Sequence, residues 1–250
     1  MRSRFRVGRA LFKLINLALF SVCLAFFVAP RFINLATREE IILLTAFEPF
    51  GGRHINSSWE VIRRFEGKYV NGRRIVTVRV PVLWATAWVP VQSAIDQYQP
   101  SLVINVGQGA TGQLEMDQSA RNIQGKTPDN AGVRPTVDYI TVDGMAHYDT
   151  RLDLAVINKR LAQNGYTAII SPHAGNYLCN FISYHSYEYL AHKYPKTTTV
   201  FVHVPVVATV DIPDDQNKLN RLTDALQLIV ESASQQVSEL AASQVMIALP

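Results

Sequence analysis

The sequence predicts an α/β protein built on a largely parallel β-sheet, and two observations support this fold class. From about residue 40 onward, short apolar runs alternate with longer stretches of helical periodicity. This alternation is typical of strands joined by crossover helices. The 250 residues are 48% hydrophobic and 18% charged, so the chain can build a sizeable core and is neither disordered nor fibrous.

The elements follow from these runs. Five strands are predicted, at Ile41–Thr45, Arg74–Val80, Ser101–Val106, Ala168–Ser171 and Thr198–Val204. Four helices are predicted between them, at Ser58–Phe65, Trp84–Tyr98, Leu152–Gln163 and Leu178–His192. A last amphipathic helix, Gln216–Val237, carries one apolar face made of Leu219, Leu222, Leu226, Ile229 and Val230. Residues 122–150 are rich in Gly, Pro, Asp and Asn and predict a long loop with an edge hairpin around Thr136–Val142. Residues 40–250 are expected to form one domain.

The basic character of the chain is confined to its N-terminus. The formal net charge is +4 and the pI is about 9.1. Residues 1–31 hold six of the 24 Lys and Arg residues and no acid, which leaves 18 basic against 20 acidic residues, a balance of −2, in the rest. No cluster of Lys and Arg with interleaved aromatic residues follows, so a nucleic-acid partner is not predicted.

The basic N-terminal residues are explained by the apolar segment that follows them. Residues 1–13 precede a hydrophobic run at residues 14–30, and residues 31–39 look like a linker. A basic flank before an apolar run is typical of a signal peptide or a signal anchor. Poor cleavage sites favour an uncleaved anchor, whose N-terminus stays in the cytoplasm by the positive-inside rule. The sequence therefore predicts an N-terminal hydrophobic helix in the membrane and a membrane-anchored or exported protein with an extracytoplasmic domain.

A glycine motif lies at the end of the third predicted strand. Gly107, Gly109 and Gly112 match the G-x-G-x-x-G pattern of dinucleotide-binding folds. That motif belongs in the first βαβ unit and opens a helix, whereas here it lies in mid-chain before a turn-rich stretch. A nucleotide cofactor is therefore not predicted.

Two cysteines, Cys23 and Cys179, rule out a disulfide scaffold. Cys179 falls in the first turn of a predicted helix, where the helix dipole stabilises a thiolate and free N–H groups can hold an oxyanion. His203 lies near the end of the last strand, on a neighbouring strand end that suits a general base. His173, on the turn before Cys179, is a reserve candidate. Spacing alone favours a structural role for both residues. Cys179 would be a small buried residue and His203 a histidine of the core.

Four separate motifs change that balance, because together they resemble the pyroglutamyl peptidase I family of cysteine peptidases in order and spacing. The motifs are Thr45–Gly52 with Asn56–Trp59, Val106–Gln108, Ala174–Asn180 and Phe201–Pro205. The resemblance implies a three-layer open α/β sandwich with a mixed, largely parallel sheet, and removal of an N-terminal 5-oxoproline (pyroglutamate) from peptides. It does not cover residues 1–37, and because the family is typically cytosolic, the export segment is a departure from it.

The resemblance also implies a catalytic triad. Cys179 matches the nucleophile and His203 matches the general base. Asp117 takes the position of the family's glutamate but is one methylene shorter, and Glu115 is the alternative acid. Lys126 stands near the place where bacterial relatives carry an arginine that helps the oxyanion site.

The pyroglutamyl ring is small and neutral, so its pocket is expected to be apolar with one or two polar anchors. Four residues match the apolar lining in relatives, namely Phe47, Phe50, Tyr177 and Leu178. Gln108 matches the residue that hydrogen-bonds the lactam, and Asn56 matches one that braces the Phe-rich loop. No cofactor or metal is implied, the expected partners are peptides with an N-terminal pyroglutamate, and the formation of a homo-oligomer is left open. The departures at Asp117 and Lys126 motivate an alternative: a weakened or inactive relative that binds modified peptide N-termini.

Overall fold

The computed structural model describes residues 39–109 and 112–247, with side chains as far as residue 243. Within these residues the strands are β1 (Ile41–Phe47), β2 (Tyr69–Val70), β3 (Arg73–Val80), β4 (Leu102–Gln108), β5 (Leu114–Arg121), β6 (His147–Asp149), β7 (Ala168–His173) and β8 (Thr198–Val204). The helices are α1 (Ser57–Ile62), α2 (Trp88–Tyr98), α3 (Leu154–Gln163), α4 (Leu178–Lys193) and α5 (Pro213–Ile247). A turn of 3₁₀ helix, Arg63–Phe65, follows α1.

These strands form one mixed sheet in the order β2-β3-β1-β4-β8-β5-β6, and β7 pairs with β5 away from this path. The four central strands are parallel, because β1 pairs in parallel with β3 and β4, and β4 pairs in parallel with β8. β5 runs antiparallel to β8 and parallel to β7. The predicted mixed sheet with helices is confirmed.

Helices cover both faces of the sheet, which gives three layers. In β1, Ile42 and Leu44 point into an apolar cluster shared with α1, α3 and α5. Ile41 and Leu43 point into a second cluster, shared with α2 and α4. Central parallel strands are buried on both faces in this way because their crossover helices lie on both sides. Cys179 lies on α4, in the helical layer that packs on the second cluster.

β5 forms where no strand was predicted. Its sequence, Leu-Glu-Met-Asp-Gln-Ser-Ala-Arg, contains no Val, Ile or Thr and has no strict apolar alternation. The strand is stabilised by its neighbours instead, since it pairs with β8, β7 and β6. This strand matters for function because it carries both Glu115 and Asp117.

The hairpin predicted at Thr136–Val142 is not formed. Asn122 accepts hydrogen bonds from the backbone N–H groups of Ile140 and Thr141, at 2.8 and 2.9 Å, through its Oδ1 atom. The side chain of Gln124 donates to two carbonyl groups of the same segment. Because side chains satisfy these backbone groups, the segment has no need of a strand partner. The edge strand lies later, at β6.

Two helices differ from their predicted bounds by four residues or more at one end. α2 begins at Trp88, four residues after the predicted start, because the backbone N–H of Trp84 donates to Asp129 Oδ2 (2.9 Å) and its indole N–H donates to Thr127 O (3.1 Å). α5 is longer than predicted at both ends. It starts at Pro213, a residue that suits the first helical position because it has no N–H to satisfy.

The predicted localisation is contradicted. In the parts of the chain that the structure describes, no helix has the length and apolar character needed to cross a membrane. The expectation of a membrane-anchored or exported protein rested on the hydrophobic run at residues 14–30. That run, and with it the predicted N-terminal helix and linker, lies outside the described residues.

Candidate active site

Cys179 is the second residue of α4, at the end of the sheet where β4 and β8 run side by side. Its neighbour Tyr177 occupies the N-cap position and gives no side-chain hydrogen bond to the first helical turn. Gly107 of β4 lies opposite His203 of β8. The thiol reaches so close to Gly107 that a Cβ atom there would lie 2.9 Å from Cys179 Sγ and 2.8 Å from the ring of Phe201.

His203 links the thiol to a carboxylate. Its ring lies close enough to the Cys179 side chain for the sulfur to raise the pKa of His203. Its Nδ1 atom lies 3.0 Å from Asp117 Oδ2, and both side chains are largely enclosed, with exposed fractions of 12% and 1%. This second contact is an ion pair rather than a well-aligned hydrogen bond, since neither Asp117 oxygen has a hydrogen-bond partner of good geometry among the described residues.

Glu115, the alternative acid, lies directly opposite His203 in the antiparallel pairing of β5 with β8. One carboxylate oxygen of Glu115, one of Asp117 and one ring nitrogen of His203 all lie within 4.8 Å of one another. Such groups can ligate a metal ion, but here Asp117 and His203 already form an ion pair. The structure therefore brings both carboxylates to the histidine, and Asp117 is the one in the ion pair.

The charge of His203 depends on these neighbours. Burial lowers the pKa of His203, but the electrostatic effect of the neighbouring Cys179 and Asp117 side chains outweighs burial and raises this pKa to about 10. His203 is therefore held as an imidazolium at neutral pH, beside a thiol and a carboxylate that both favour the positive charge.

Folding stability is expected to fall at alkaline pH because of His203. Its pKa rises from the ordinary 6.5 to about 10 in the folded protein, so the contribution of its protonated form is fully present below about 6.5 and is lost as the pH rises through about 10. Thermal unfolding between pH 7 and 10.5 measures this loss. The melting temperature of the wild type should fall more steeply than that of His203→Gln, and parallel curves would contradict the prediction.

His173, the reserve candidate, supports the loop before α4. Its Nδ1 atom accepts a hydrogen bond from the backbone N–H of Gly175 at 3.2 Å and lies 3.4 Å from the guanidinium of Arg121. The same guanidinium lies at the limit of hydrogen bonding, 3.5 Å, from the carbonyl of Gly175. His173 and Arg121 therefore hold the turn that leads into Cys179.

Lys126 does not take the place of the oxyanion arginine that the resemblance implies. Its Nζ atom forms an ion pair with Asp138 at 2.7 Å and donates to the carbonyl of Val137 at 2.9 Å. Both partners belong to the loop that follows, so the ammonium group is engaged away from the thiol.

Asn180, which the sequence analysis did not single out as functional, joins α4 to β5. Its amide group donates to the carbonyls of Arg121 and Ile123, both at 2.8 Å, and its Oδ1 atom accepts from the backbone N–H of Arg121 at 3.0 Å. The side chain is fully buried. Since Asn180 follows Cys179 directly, these bonds fix the helix that carries the thiol to the strand that carries Asp117.

The predicted apolar lining gathers beside the thiol. Phe47 and Leu178 are buried in one cluster, and Phe50, Tyr177 and Cys179 pack against it. The rings of Phe50 and Tyr177 have centroids 6.4 Å apart.

Trp84 is an additional member of this lining that the motifs did not mark. Its ring meets that of Tyr177 edge to face at 5.3 Å. Its signal in the sequence is weak, because a Trp at the start of a predicted helix is as readily explained by packing.

Asn56 braces the loop that holds the two phenylalanines. Its Nδ2 atom donates to the carbonyl of Glu48 at 3.0 Å, while its Oδ1 atom caps α1 by accepting from the N–H and hydroxyl of Ser58. Across the loop, Asn130 donates to the carbonyl of Pro49 at 2.9 Å. The phenylalanine loop is therefore held from both sides.

Gln108, the residue expected to hydrogen-bond the lactam, ends β4 next to Gly107. Its Oε1 atom accepts two hydrogen bonds from Ser57, one from the backbone N–H and one from the hydroxyl, each at 3.0 Å. The amide is thus fixed at one end, and Gln108 keeps part of its surface exposed.

The glycine motif has a steric explanation. Gly107 lets Cys179 Sγ approach, and a Cβ atom on Gly109 would come within 3.1 Å of the Cβ of His203.

We expect Gly107→Ala to lower activity at least about 100-fold and to destabilise the fold by about 1–3 kcal/mol, because the methyl group must displace Sγ or the ring of Phe201. Activity assays and urea unfolding test this. Gly132→Ala, where nothing lies within 4 Å but a φ of +76° strains the backbone of alanine, is a control for activity only and should keep full activity. Full activity in Gly107→Ala would contradict the prediction.

Comparison with known proteins places these features in one family. The family model described as pyroglutamyl peptidase matches residues 40–239. The pyrrolidone-carboxylate peptidase of Lactobacillus acidophilus is 36% identical over 66% of this chain and 82% of its own length. Pyrrolidone-carboxylate peptidase 1 of Photorhabdus laumondii is 34% identical over 81% of this chain and 96% of its own.

Solved structures agree. The crystal structure of Bacillus amyloliquefaciens pyroglutamyl peptidase I superposes with a TM-score of 0.71 at 29% identity, covering 79% of this chain and 98% of that one. The pyrrolidone carboxyl peptidase of Thermococcus litoralis gives 0.73 at 27% identity, covering 80% and 96%. The chain therefore belongs to the pyroglutamyl peptidase family of cysteine peptidases, as the four motifs predicted.

Proposed function

We propose that this protein hydrolyses the bond after an N-terminal pyroglutamyl residue, using Cys179 as nucleophile, His203 as acid–base group and Asp117 as the orienting acid. The observation that carries the proposal is the series from the Cys179 thiol through the His203 ring to the buried Asp117 carboxylate, beside a cluster of apolar side chains. Thiol nucleophile, base and orienting group in hydrogen-bond reach are the parts that acyl transfer needs.

The first half of the reaction forms an acyl-enzyme. With the thiol proton already held on His203, the sulfur attacks the carbonyl carbon between the lactam ring and the next residue. Backbone N–H groups in the first turn of α4 stabilise the resulting oxyanion, since the cap leaves them without a side-chain partner. The imidazolium then donates its proton to the leaving amine, the C–N bond breaks, and a thioester remains.

The second half releases the product. His203 takes a proton from water, the hydroxide attacks the thioester carbonyl, and the carbon–sulfur bond breaks as the thiolate leaves. Asp117 keeps the ring in place through both halves and stabilises its positive charge. The net reaction consumes one water and returns the enzyme to its starting state.

The pocket suits a small neutral ring. Phe50 and Tyr177 offer partly exposed apolar surface, backed by the buried Phe47 and Leu178, and Gln108 offers an amide to the lactam carbonyl. The chain's substrates would therefore be peptides with an N-terminal pyroglutamate.

A direct assay tests the proposal. Purified protein is incubated with pyroglutamyl-aminocoumarin, and with glutaminyl-aminocoumarin as the matched substrate that has an open side chain and a free amine. We expect release of the fluorophore from the first only. Absence of turnover above a Cys179→Ala background would reject the enzyme and favour the alternative, a relative that binds modified N-termini, which calorimetry with a pyroglutamyl peptide would then detect.

A further inference from the structure

Ser57, the first residue of α1, is fully buried and connects two parts of the chain. Its backbone N–H and its hydroxyl both lie 3.0 Å from Gln108 Oε1, at the end of β4. Its Oγ atom lies 2.7 Å from the backbone N–H of Val207, in the segment after β8. The serine therefore stands between a backbone donor and the amide of Gln108.

The direction of each hydrogen bond in this group is fixed by chemistry. A backbone N–H only donates, so the atom of Gln108 that faces the Ser57 N–H must be the oxygen, which accepts. The N–H of Val207 likewise donates to Ser57 Oγ, so the hydroxyl proton is directed to Gln108. Both arguments give the amide the same orientation, with Oε1 toward Ser57 and the Nε2 donor at its other end.

The position of Gln108 gives this orientation a meaning for binding. Gln108 ends β4 directly after Gly107, at the end of the sheet where the thiol lies, and it keeps part of its surface exposed. With Oε1 occupied by Ser57, the end of the amide left for a ligand is a hydrogen-bond donor. A donor recognises an acceptor, such as the carbonyl oxygen of a lactam, and gains nothing from a ring without one.

We propose that Ser57 is a positioning residue that sets the orientation of the Gln108 amide and thereby selects ligands with a carbonyl acceptor on a five-membered ring. This inference rests on the proposed function, because it takes Gln108 to meet the lactam. In Ser57→Ala the backbone N–H remains but the hydroxyl donor is lost, so the amide is held by one bond instead of two and samples other orientations.

Kinetics with pyroglutamyl-aminocoumarin test the effect. Because a net hydrogen bond of ordinary strength corresponds to about a tenfold change in an equilibrium constant, we expect Ser57→Ala to raise KM about fivefold to tenfold. The dissociation constant of the plain lactam 2-pyrrolidone should rise by the same factor. The kcat, its pH profile and the rate of Cys179 alkylation by iodoacetamide should stay within about twofold, since the thiol and His203 are untouched.

Two comparisons separate positioning from general damage. Ser183→Ala removes a buried hydroxyl that has no hydrogen-bond partner within the described residues, and it should behave as the wild type. If Ser57 acts through Gln108, the double variant Ser57→Ala/Gln108→Ala should bind 2-pyrrolidone no more weakly than Gln108→Ala alone. Additive losses, or wild-type binding by Ser57→Ala, would overturn the inference.

A second variant keeps the inference testable if Ser57→Ala does not fold. Gln108→Glu retains the oxygen that faces Ser57 but replaces the Nε2 donor by a second oxygen, so binding of 2-pyrrolidone should be lost, and retained binding would overturn the inference. Calorimetry with 2-pyrrolidone needs no turnover. Failure of the wild type to cleave the pyroglutamyl substrate would therefore reject the proposed function, while the binding comparison would still decide the role of Ser57.

Discussion

Replacing Cys179 with alanine is expected to lower kcat/KM for pyroglutamyl-aminocoumarin by at least about 10⁴-fold, because the nucleophile acts as a unit with its base and its loss removes the covalent route. The structure supports so large an effect, since the thiol lies beside His203 and Cys179 is the only cysteine among the described residues. Initial rates over a range of enzyme concentrations measure the residual activity.

The matched control is Cys23→Ala, which removes the other cysteine of the chain. It should keep full activity and full sensitivity to iodoacetamide. Mass spectrometry should find the alkyl group on Cys179 in both the wild type and Cys23→Ala. Residual activity above about 1% in Cys179→Ala, with the fold intact by circular dichroism, would reject Cys179 as the nucleophile.

The second large effect is expected at Asp117. The variant Asp117→Asn keeps the size of the side chain but removes its charge, so the ring of His203 loses the partner that orients it and stabilises its positive form. Neutralising the acid of a comparable triad lowers kcat by about 10⁴-fold, and because the Asp117 contact is an ion pair of imperfect alignment we expect about 10²–10⁴-fold here.

Glu115→Gln is the control for this change, because the two carboxylates lie on the same strand and both approach His203. We expect it to lower kcat less than tenfold. If Glu115→Gln proved the more damaging variant, Glu115 would be the orienting acid. In Asp117→Asn the pH profile of kcat should also change, because the pKa of His203 loses one of the charges that raise it.

The positions of Cys179 and His203 could be predicted because both residues lie in sequence motifs that resemble those of the pyroglutamyl peptidase family. Cys179 and His203 fall next to each other once α4 and β8 are placed, and the apolar lining gathers at the same end of the sheet. The central strands were predictable for a physical reason too. β1, β4 and β8 are buried on both faces along almost their whole length, so their sequences are mostly apolar.

What could not be predicted depends on tertiary contacts. β5 contains few residues that favour strands and exists because β8, β7 and β6 pair with it. Ser57 and Asn180 act through buried hydrogen bonds to residues more than 50 positions away, and a polar residue that makes such bonds has no local signature. Which of Glu115 and Asp117 forms the ion pair likewise depends on side-chain geometry across two strands.

The antiparallel attachment of β5 also bears on how the protein folds. Asp117 comes from a strand joined to β8 through only three residue pairs, and its partner His203 lies far along the chain. Closing so long a loop is entropically costly and slow, whereas the helices form from local contacts. Catalytic competence should therefore appear late during refolding. Recovery of activity should lag behind recovery of the helical circular dichroism signal. The turnover of the enzyme would then report on the pairing of β5 with β8, which brings Asp117 to His203.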